Sequence, residues 1–250
     1  MKRLFISLAI LAGISLSSCN DSFLEKTPVT DLTENNAFNS YDNFKAFMWP
    51  CYEMFTNNTI RTSLQGFGQD GQYKGDMAAG YFQQKYESGY NEFAYQTVAS
   101  VASGNGWDFK SFIRRVNIML SHIDNSSMTE AQKDHWRAVG YFFHSFWYME
   151  LIDRFGDVPW VDQVLQEDSP EAYGPRVDRK TVADKVLERL QWAEQNIGNF
   201  TSQDGDNTIN QDCVRAVISR FGLREGTWRK YHELGDAEKY LQECVRASEL

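Results

Sequence analysis

The sequence predicts an all-α fold in which pairs of antiparallel helices alternate with long irregular loops. Apolar residues recur at helical spacing in several segments of the chain, a pattern typical of amphipathic helices. Several segments begin at a capping residue or end at glycine or proline, which are common helix boundaries. Each pair takes about 35–45 residues with its connection, the repeat length of helical solenoids. We therefore predict a helical solenoid of antiparallel helix pairs. The Trp-Leu-Gly-Tyr consensus of tetratricopeptide repeats is present only in degraded form, so the residues alone support that repeat type weakly.

Residues 1–18 form a predicted signal peptide. Lys2 and Arg3 give it a basic start, and the apolar stretch at 4–16 is too short to span a bilayer as a stable helix. The Leu-Ser-Ser sequence before Cys19 is similar to a bacterial lipobox, in which the cysteine becomes the lipidated first residue. The alternative is an ordinary signal peptide whose cleavage site happens to lie near a cysteine.

Residues 19–38 lack any period and are expected to form a lipidated tether, followed by a helical-repeat domain over 39–250. Ser40 is a predicted N-cap, and the apolar spacing after it predicts a helix over 41–57. The next predicted helix starts at Trp107.

The most apolar helix is predicted to begin at Thr129, which forms a capping box with Gln132. It is apolar on nearly all sides and is therefore expected to be packed on nearly all sides. Gly156 and Pro159 are expected to end it, glycine by taking a left-handed conformation and proline by preventing resumption. Its predicted core residues are Trp136, Phe143 and Trp147.

Three further helices are predicted, over 179–197, over 211–230 and from Asp236 onward. The last has no stop signal before Leu250, and its apolar face has no evident partner in the sequence. We therefore expect this chain to be the front part of a longer protein. That face comprises Tyr240, Leu241, Cys244 and Val245.

The composition limits the possible partners. With 25 basic and 34 acidic residues, the chain has a formal net charge of −9, which is unfavourable for binding nucleic acid or acidic lipid. Its 17 Phe, 12 Tyr and 7 Trp exceed what an ordinary core of this size requires, so some rings are expected on a recognition surface.

The cysteines suit neither a disulfide framework nor a CxxC metal site. With Cys19 lipidated, three of the four cysteines remain. We predict that Cys51, Cys213 and Cys244 are small buried apolar residues, with a Cys213–Cys244 disulfide as the alternative.

Enzymatic chemistry, a cofactor and a metal site are not predicted. The sequence contains no GxSxG, HExxH or phosphate-loop motif, and its four histidines have no ligand-like spacing. Residues 204–207 (DGDN) resemble a fragment of a calcium loop but lack the downstream ligands, so a polar turn is expected there.

Six features, in order, resemble the SusD/RagB family. They are the lipobox, FLEKTPVTDLTENNAF, the helix from Trp107 containing Asn117, HWRAVGYFFHSFWYMELIDRFGDVPWV, RKTVADKVLERLQWAEQNI and INQDCVRAVISRFGLREG. The resemblance implies an all-α, tetratricopeptide-like helix-pair superhelix with long irregular loops. It also implies a non-catalytic lipoprotein at the outer face of a Bacteroidetes outer membrane. It also implies capture of a nutrient, usually an oligosaccharide, for a SusC-like TonB-dependent barrel transporter. A lipidated helical-repeat scaffold for protein–protein contacts in outer-membrane assembly is the alternative.

The ligand site is predicted in the glycine-rich region 58–106, because so long an irregular segment usually has a function. Sugar binding uses flat aromatic faces together with polar side chains that bond to hydroxyls. Alternatively, the tyrosines only fasten the long loop to the helices. Trp160 is predicted either as a surface residue or as core, with no preference between them. The predicted ligand-binding residues are Asp70, Tyr73, Asp76, Tyr81, Tyr86 and Tyr90.

Overall fold

A computed structural model describes residues 37–55 and 112–249, and within them it confirms the all-α prediction. The described helices are α1 (Tyr41–Met48), α2 (Phe112–His122), α3 (Glu130–Phe155), α4 (Arg179–Asn196), α5 (Thr201–Asp204), α6 (Gln211–Tyr231) and α7 (Ala237–Ser248). Two 3₁₀ turns accompany them, Trp49–Phe55 and Pro170–Tyr173. All of these elements belong to one compact unit, Phe38–Leu250.

Consecutive long helices pack as antiparallel pairs, in the tetratricopeptide-like arrangement that was predicted. Along α3 and α4, the ring of Tyr141 lies 5.2 Å from that of Trp192, whereas Ser145 Oγ donates to the carbonyl of Val186 at 3.5 Å. Later positions of α3 therefore contact earlier positions of α4, so the two helices are antiparallel. The pairs α2–α3, α4–α6 and α6–α7 are also antiparallel.

The central helix α3 is buried along most of its length, as its circumferential apolar pattern predicts. Its predicted capping box is present: Thr129 Oγ1 accepts from Gln132 N at 3.4 Å, and Gln132 Oε1 accepts from Thr129 N at 3.0 Å. The three predicted core residues are buried, which confirms that prediction. They are Trp136, Phe143 and Trp147.

The end of α3 is sharply defined. Gly156 has φ +69° and ψ −110° and donates to the carbonyl of Ile152 at 3.0 Å. The positive φ that favours glycine is confirmed, although ψ lies outside the left-handed helical region. Between Gly156 and Pro159, Val158 forms an isolated antiparallel bridge with Val177, and the two residues exchange backbone hydrogen bonds of 3.1 and 2.9 Å.

The first predicted helix, 41–57, is wrong in its second half. Helix α1 ends at Met48, and the chain continues as a 3₁₀ turn to Phe55. Pro50 supplies the reason: it has no amide hydrogen to donate, and its ring clashes with the carbonyl four residues earlier. The N-cap is correct, with Ser40 Oγ accepting from Asn43 N at 3.4 Å.

Most of the apolar face of the last helix has a partner, which corrects the prediction, whereas Val245 at its edge is 55% exposed. Helix α7 packs on α6, where Gly222 and Gly226 let the two backbones come close. A Cβ atom at Gly222 would lie 2.5 Å from the carbonyl oxygen of Tyr240 and 2.9 Å from the nitrogen of Cys244. Tyr240 is fully buried there.

The three described cysteines are free thiols, so the Cys213–Cys244 disulfide is not formed. Cys51 is buried as predicted, and burial raises the pKa of its thiol to about 12. Cys213 and Cys244 are only half-buried, which corrects the prediction that they are core residues. Both lie on the partly covered α6–α7 surface.

Candidate functional site

The residues predicted to bind ligand lie outside the described residues, and so do Cys19 and Trp107. Their roles therefore stay predictions. The ligand-binding set is Asp70, Tyr73, Asp76, Tyr81, Tyr86 and Tyr90.

A pocket of about 260 Å³ opens between α3, α4 and the segment that follows α3. Its walls combine aromatic rings with charged side chains of both signs. This Trp160 pocket is lined by Tyr141, Trp160, Asp162, Lys185, Glu188, Arg189 and Trp192.

Helix α4 supplies one wall of the Trp160 pocket. Lys185, Arg189 and Trp192 are spaced four and three residues apart, so they lie on one face of the helix. Glu188 stands beside them at the exposed edge. Tyr141 faces them from α3, and its ring lies edge-on to Trp192 with the centroids 5.2 Å apart.

Trp160 is held in place from behind by two residues of α3. Its ring centroid lies 4.5 Å from that of Tyr148 and 5.0 Å from that of His144. The hydroxyl of Tyr148 donates to the carbonyl of Pro159 at 2.9 Å and accepts from Val161 N at 2.7 Å. The backbone on both sides of Trp160 is thereby fixed to the core.

Helix α2 fixes the chain just beyond Trp160. The buried amide of Asn117 donates to the carbonyls of Val161 and Gln163 at 3.1 and 3.0 Å. Arg114 donates to the carbonyl of Leu165 at 2.6 Å. Because side chains of two helices satisfy its backbone, this loop presents its side chains from a fixed position.

Arg189 is the central charge of the pocket. Its guanidinium lies 4.8 Å from the ring centroid of Tyr141 and 4.8 Å from that of Trp160, a cation–π geometry. Its Nη2 lies 3.6 Å from Asp162 Oδ2, which also accepts from Trp160 Nε1 at 2.9 Å. Burial lowers the pKa of Arg189, yet a guanidinium stays charged at neutral pH.

One donor of this guanidinium has no partner. Arg189 Nη1 is buried and makes no hydrogen bond to any residue that the structure describes. Buried donors are normally paired, so an acceptor placed in the pocket would gain from meeting it.

His144 supports the pocket as a neutral ring. Burial, followed by the nearby charge of Arg189, lowers the pKa of His144 well below its ordinary value. The neutral ring then donates from Nε2 to the carbonyl of Val161 at 2.9 Å. His144 therefore serves the site by holding the loop.

A second pocket, of about 270 Å³, adjoins His135 at the end of α4. Asp204 Oδ2 accepts from the hydroxyl of Tyr41 at 2.6 Å and lies 3.2 Å from His135 Nε2, while His135 Nδ1 lies 3.1 Å from the carbonyl of Gly198. Burial lowers the pKa of His135, against the pull of Asp204. This cluster joins α1, α3 and α5, and it shows that the 204–207 segment directs its first carboxylate into the protein.

The family follows from a comparison of the whole chain with known proteins. The model of a SusD-like family, described as starch-binding and associating with the outer membrane, matches residues 22–223. The chain belongs to the SusD-like family. A search of curated protein sequences finds no match.

Solved SusD-like structures share the fold at low sequence identity. A SusD-like protein from Bacteroides fragilis is 17% identical with a TM-score of 0.60, covering 89% of this chain and 41% of its own. A SusD homologue from Bacteroides thetaiotaomicron is 16% identical with a TM-score of 0.60, covering 87% and 42%. A SusD-like carbohydrate-binding protein from Bacteroides vulgatus is 16% identical with a TM-score of 0.57, covering 84% and 45%. This SusD-like chain thus spans less than half the length of each.

Most of the Trp160 pocket was not predicted from the sequence. Trp160 was assigned no preference between surface and core, and the structure places this residue partly exposed at the pocket wall. Lys185, Arg189 and Trp192 were not singled out, although their spacing along a predicted helix was visible. Within the described residues, no helix combines the length and the apolar character needed to cross a membrane.

Proposed function

We propose that this SusD-like protein binds an oligosaccharide at the cell surface and passes it to a SusC-like TonB-dependent barrel transporter. The family match over residues 22–223 carries the proposal, because that family is described as starch-binding and associating with the outer membrane. The matched range includes all six predicted ligand residues, Asp70 to Tyr90. The lipid on Cys19 is the proposed anchor in the outer membrane, and the protein that it holds is proposed to face the cell exterior.

The composition of the predicted site supports sugar binding. Between Asp70 and Tyr90 the chain alternates tyrosine rings with acidic and amide side chains, and sugars offer both apolar faces and hydroxyls. Each hydrogen bond that competes with water contributes about 0.5–1.5 kcal/mol net. Affinities are therefore expected to be modest, on the order of micromolar to millimolar.

Affinity electrophoresis of the purified full-length protein against a panel of polysaccharides tests ligand capture. We expect retardation by at least one neutral glycan, and loss of retardation when Tyr73, Tyr81 and Tyr86 are replaced together by Ala. Because the variant replaces three large side chains at once, thermal unfolding of the variant serves as the control for folding. A wild-type protein that no glycan retards would contradict ligand capture.

Co-purification from membranes tests the partner and the anchor. The wild-type protein is expected in the outer-membrane fraction together with a TonB-dependent barrel, and a Cys19→Ala variant is expected to lose membrane association. Recovery with other proteins, without a barrel and without glycan binding, would instead support the scaffold alternative. Tetratricopeptide-like helix pairs are compatible with that role as well.

A further inference from the structure

We propose that the Trp160 pocket is an additional sugar-binding subsite, which holds one neutral pyranose ring of an oligosaccharide. The ligand class rests on the proposed function, whereas the location rests on the described geometry alone. None of the pocket's residues belongs to the predicted set between Asp70 and Tyr90.

The size and walls of the pocket suit a single ring. Pockets for drug-sized ligands usually measure about 300–1,000 Å³, and this one, at about 260 Å³, lies just below that range. Tyr141, Trp160 and Trp192 are partly exposed around it. Their rings offer the flat apolar surfaces that the C–H faces of a pyranose require.

The polar groups that line the pocket include both donors and acceptors. Arg189 Nη1 is buried without a partner among the described residues. Lys185 Nζ lies 5.3 Å from the Trp160 ring centroid, and the structure shows no ion pair between it and another described residue. Asp162 and Glu188 are exposed carboxylates at the rim.

This balance of charges favours a neutral sugar over an acidic one. A hydroxyl can accept from Arg189 or Lys185 and donate to Asp162 or Glu188, so each kind of group finds a partner. The carboxylate of an acidic sugar can only accept hydrogen bonds, and it would meet the like charges of Asp162 and Glu188 at the rim. Two cations opposite two anions therefore match hydroxyl groups better than a uronic acid.

The pocket is also preorganised. Trp160 is fixed by Tyr148 and His144, and the backbone after it is fixed by Asn117. A site that is already ordered loses little conformational entropy when a ligand binds. The unpaired Arg189 donor is thus held at a constant position relative to the Trp160 and Tyr141 rings.

A site-specific test uses the full-length protein labelled with 5-fluorotryptophan and observed by ¹⁹F NMR. The probes are maltoheptaose and neutral cello-, laminari- and xylo-oligosaccharides, with tri-galacturonic acid as the acidic probe. The Trp160 and Trp192 resonances are assigned through Trp160→Phe and Trp192→Phe. We expect both to shift with a neutral oligosaccharide, while the resonance of Trp228, an exposed tryptophan of α6 outside the pocket, stays unchanged.

The variant Arg189→Met keeps an unbranched stem but removes the guanidinium and its donors. It is expected to increase the dissociation constant, as reported by the Trp192 resonance, at least about tenfold, which corresponds to about 1.4 kcal/mol. Lys185→Met provides a second, more exposed variant should Arg189→Met unfold, and Trp228→Ala is the matched control with unchanged affinity. Thermal unfolding checks that each variant is folded.

The outcomes separate this proposal from the proposed function. If the wild-type protein binds a neutral glycan but the Trp160 and Trp192 resonances do not respond, or Arg189→Met and Lys185→Met bind as wild type, the subsite is overturned and the proposed function stands. If no oligosaccharide binds at all, both are overturned. A response to tri-galacturonic acid alone would overturn the neutral class.

Discussion

Two helix interfaces in this fold are stabilised by different chemistry. Helix α3 is surrounded by aromatic and aliphatic side chains, with Phe143 fully buried at its centre. Helix α6 instead meets α7 through two glycines and a buried ionic cluster. At the first interface stability depends on filled volume, and at the second it depends on every charge having its partner.

The ionic cluster centres on Arg229, whose side chain is 1% exposed. Its Nε donates to Glu225 Oε1 at 2.7 Å and its Nη2 to the hydroxyl of Tyr240 at 3.0 Å. The other oxygen of Glu225 lies 2.6 Å from Arg179 Nη1. Tyr240 in turn donates to Asp184 at 2.6 Å, so the cluster joins α4, α6 and α7.

The largest expected effect is at the apolar interface. Phe143→Ala should lower the free energy of unfolding by about 3–5 kcal/mol, because it removes buried surface and leaves a cavity in a packed core. Urea denaturation measures the loss. Phe143→Leu, which retains most of the volume, should lose far less, and equal losses for the two variants would contradict a volume-dependent interface.

Removal of one ionic partner should come next. Arg229→Met should lower the free energy of unfolding by about 3 kcal/mol, because the buried carboxylate of Glu225 would lose one of its two cationic partners. Arg179 still faces Glu225 and limits the loss. The double variant Arg229→Met/Glu225→Gln should be more stable in urea than the single variant, and an additive further loss would disprove dependence on partners.

A smaller loss is expected from closer packing at the α6–α7 contact. Gly222→Ala would place a methyl group against the backbone of Tyr240 and Cys244, and overpacking typically costs about 1–3 kcal/mol. Gly226→Ala is the matched control, since its Cβ would mainly meet the flexible side chain of Leu241. A thermal midpoint lowered more by Gly226→Ala than by Gly222→Ala would contradict backbone contact as the cause.

The smallest effect concerns pH. The folded-state pKa of His144 lies well below its ordinary value of 6.5, so the unfolded chain binds a proton first as the solution is acidified. The stability from neutral His144 is complete above pH 6.5 and decreases below it, by about 1.4 kcal/mol per pH unit. His144→Gln, whose amide can still donate to Val161, should therefore show a shallower loss between pH 6.5 and 5 in urea denaturation.

The comparison of His144→Gln with wild type is needed because other groups act in the opposite direction. Burial raises the pKa of Asp153 to about 6, and burial also raises that of Glu150. For these carboxyls the folded state binds protons first, so acidification through pH 6 adds stability. Their contribution cancels in the difference between the two proteins, and parallel pH profiles would contradict a neutral buried His144.

Features set by short stretches of sequence were predictable. The capping box of Thr129 and Gln132 and the stop at Gly156 each depend on a few neighbouring residues, so both ends of α3 were found. The 3₁₀ turn after Met48 was equally local, yet the regular apolar spacing through Phe55 concealed the effect of Pro50.

Features that depend on distant contacts were not predictable. The partner of α7 was missed because the facing surface of α6 is formed by Gly222 and Gly226, which add nothing to an apolar pattern. The Trp160 pocket joins positions 141, 160 and 189, and only the folded pairing of α3 with α4 brings them together. Periodicity identified each helix but not which side chains meet between helices.

The two backbone hydrogen bonds between Val158 and Val177 have a practical consequence. They fix the base of the loop between α3 and α4. The outer part of this loop, around the 3₁₀ turn Pro170–Tyr173, is exposed. Insertions at such exposed tips are well tolerated. A short peptide tag or a single reporter cysteine placed there would lie on the same loop as Trp160, and it offers an attachment point for a spectroscopic label.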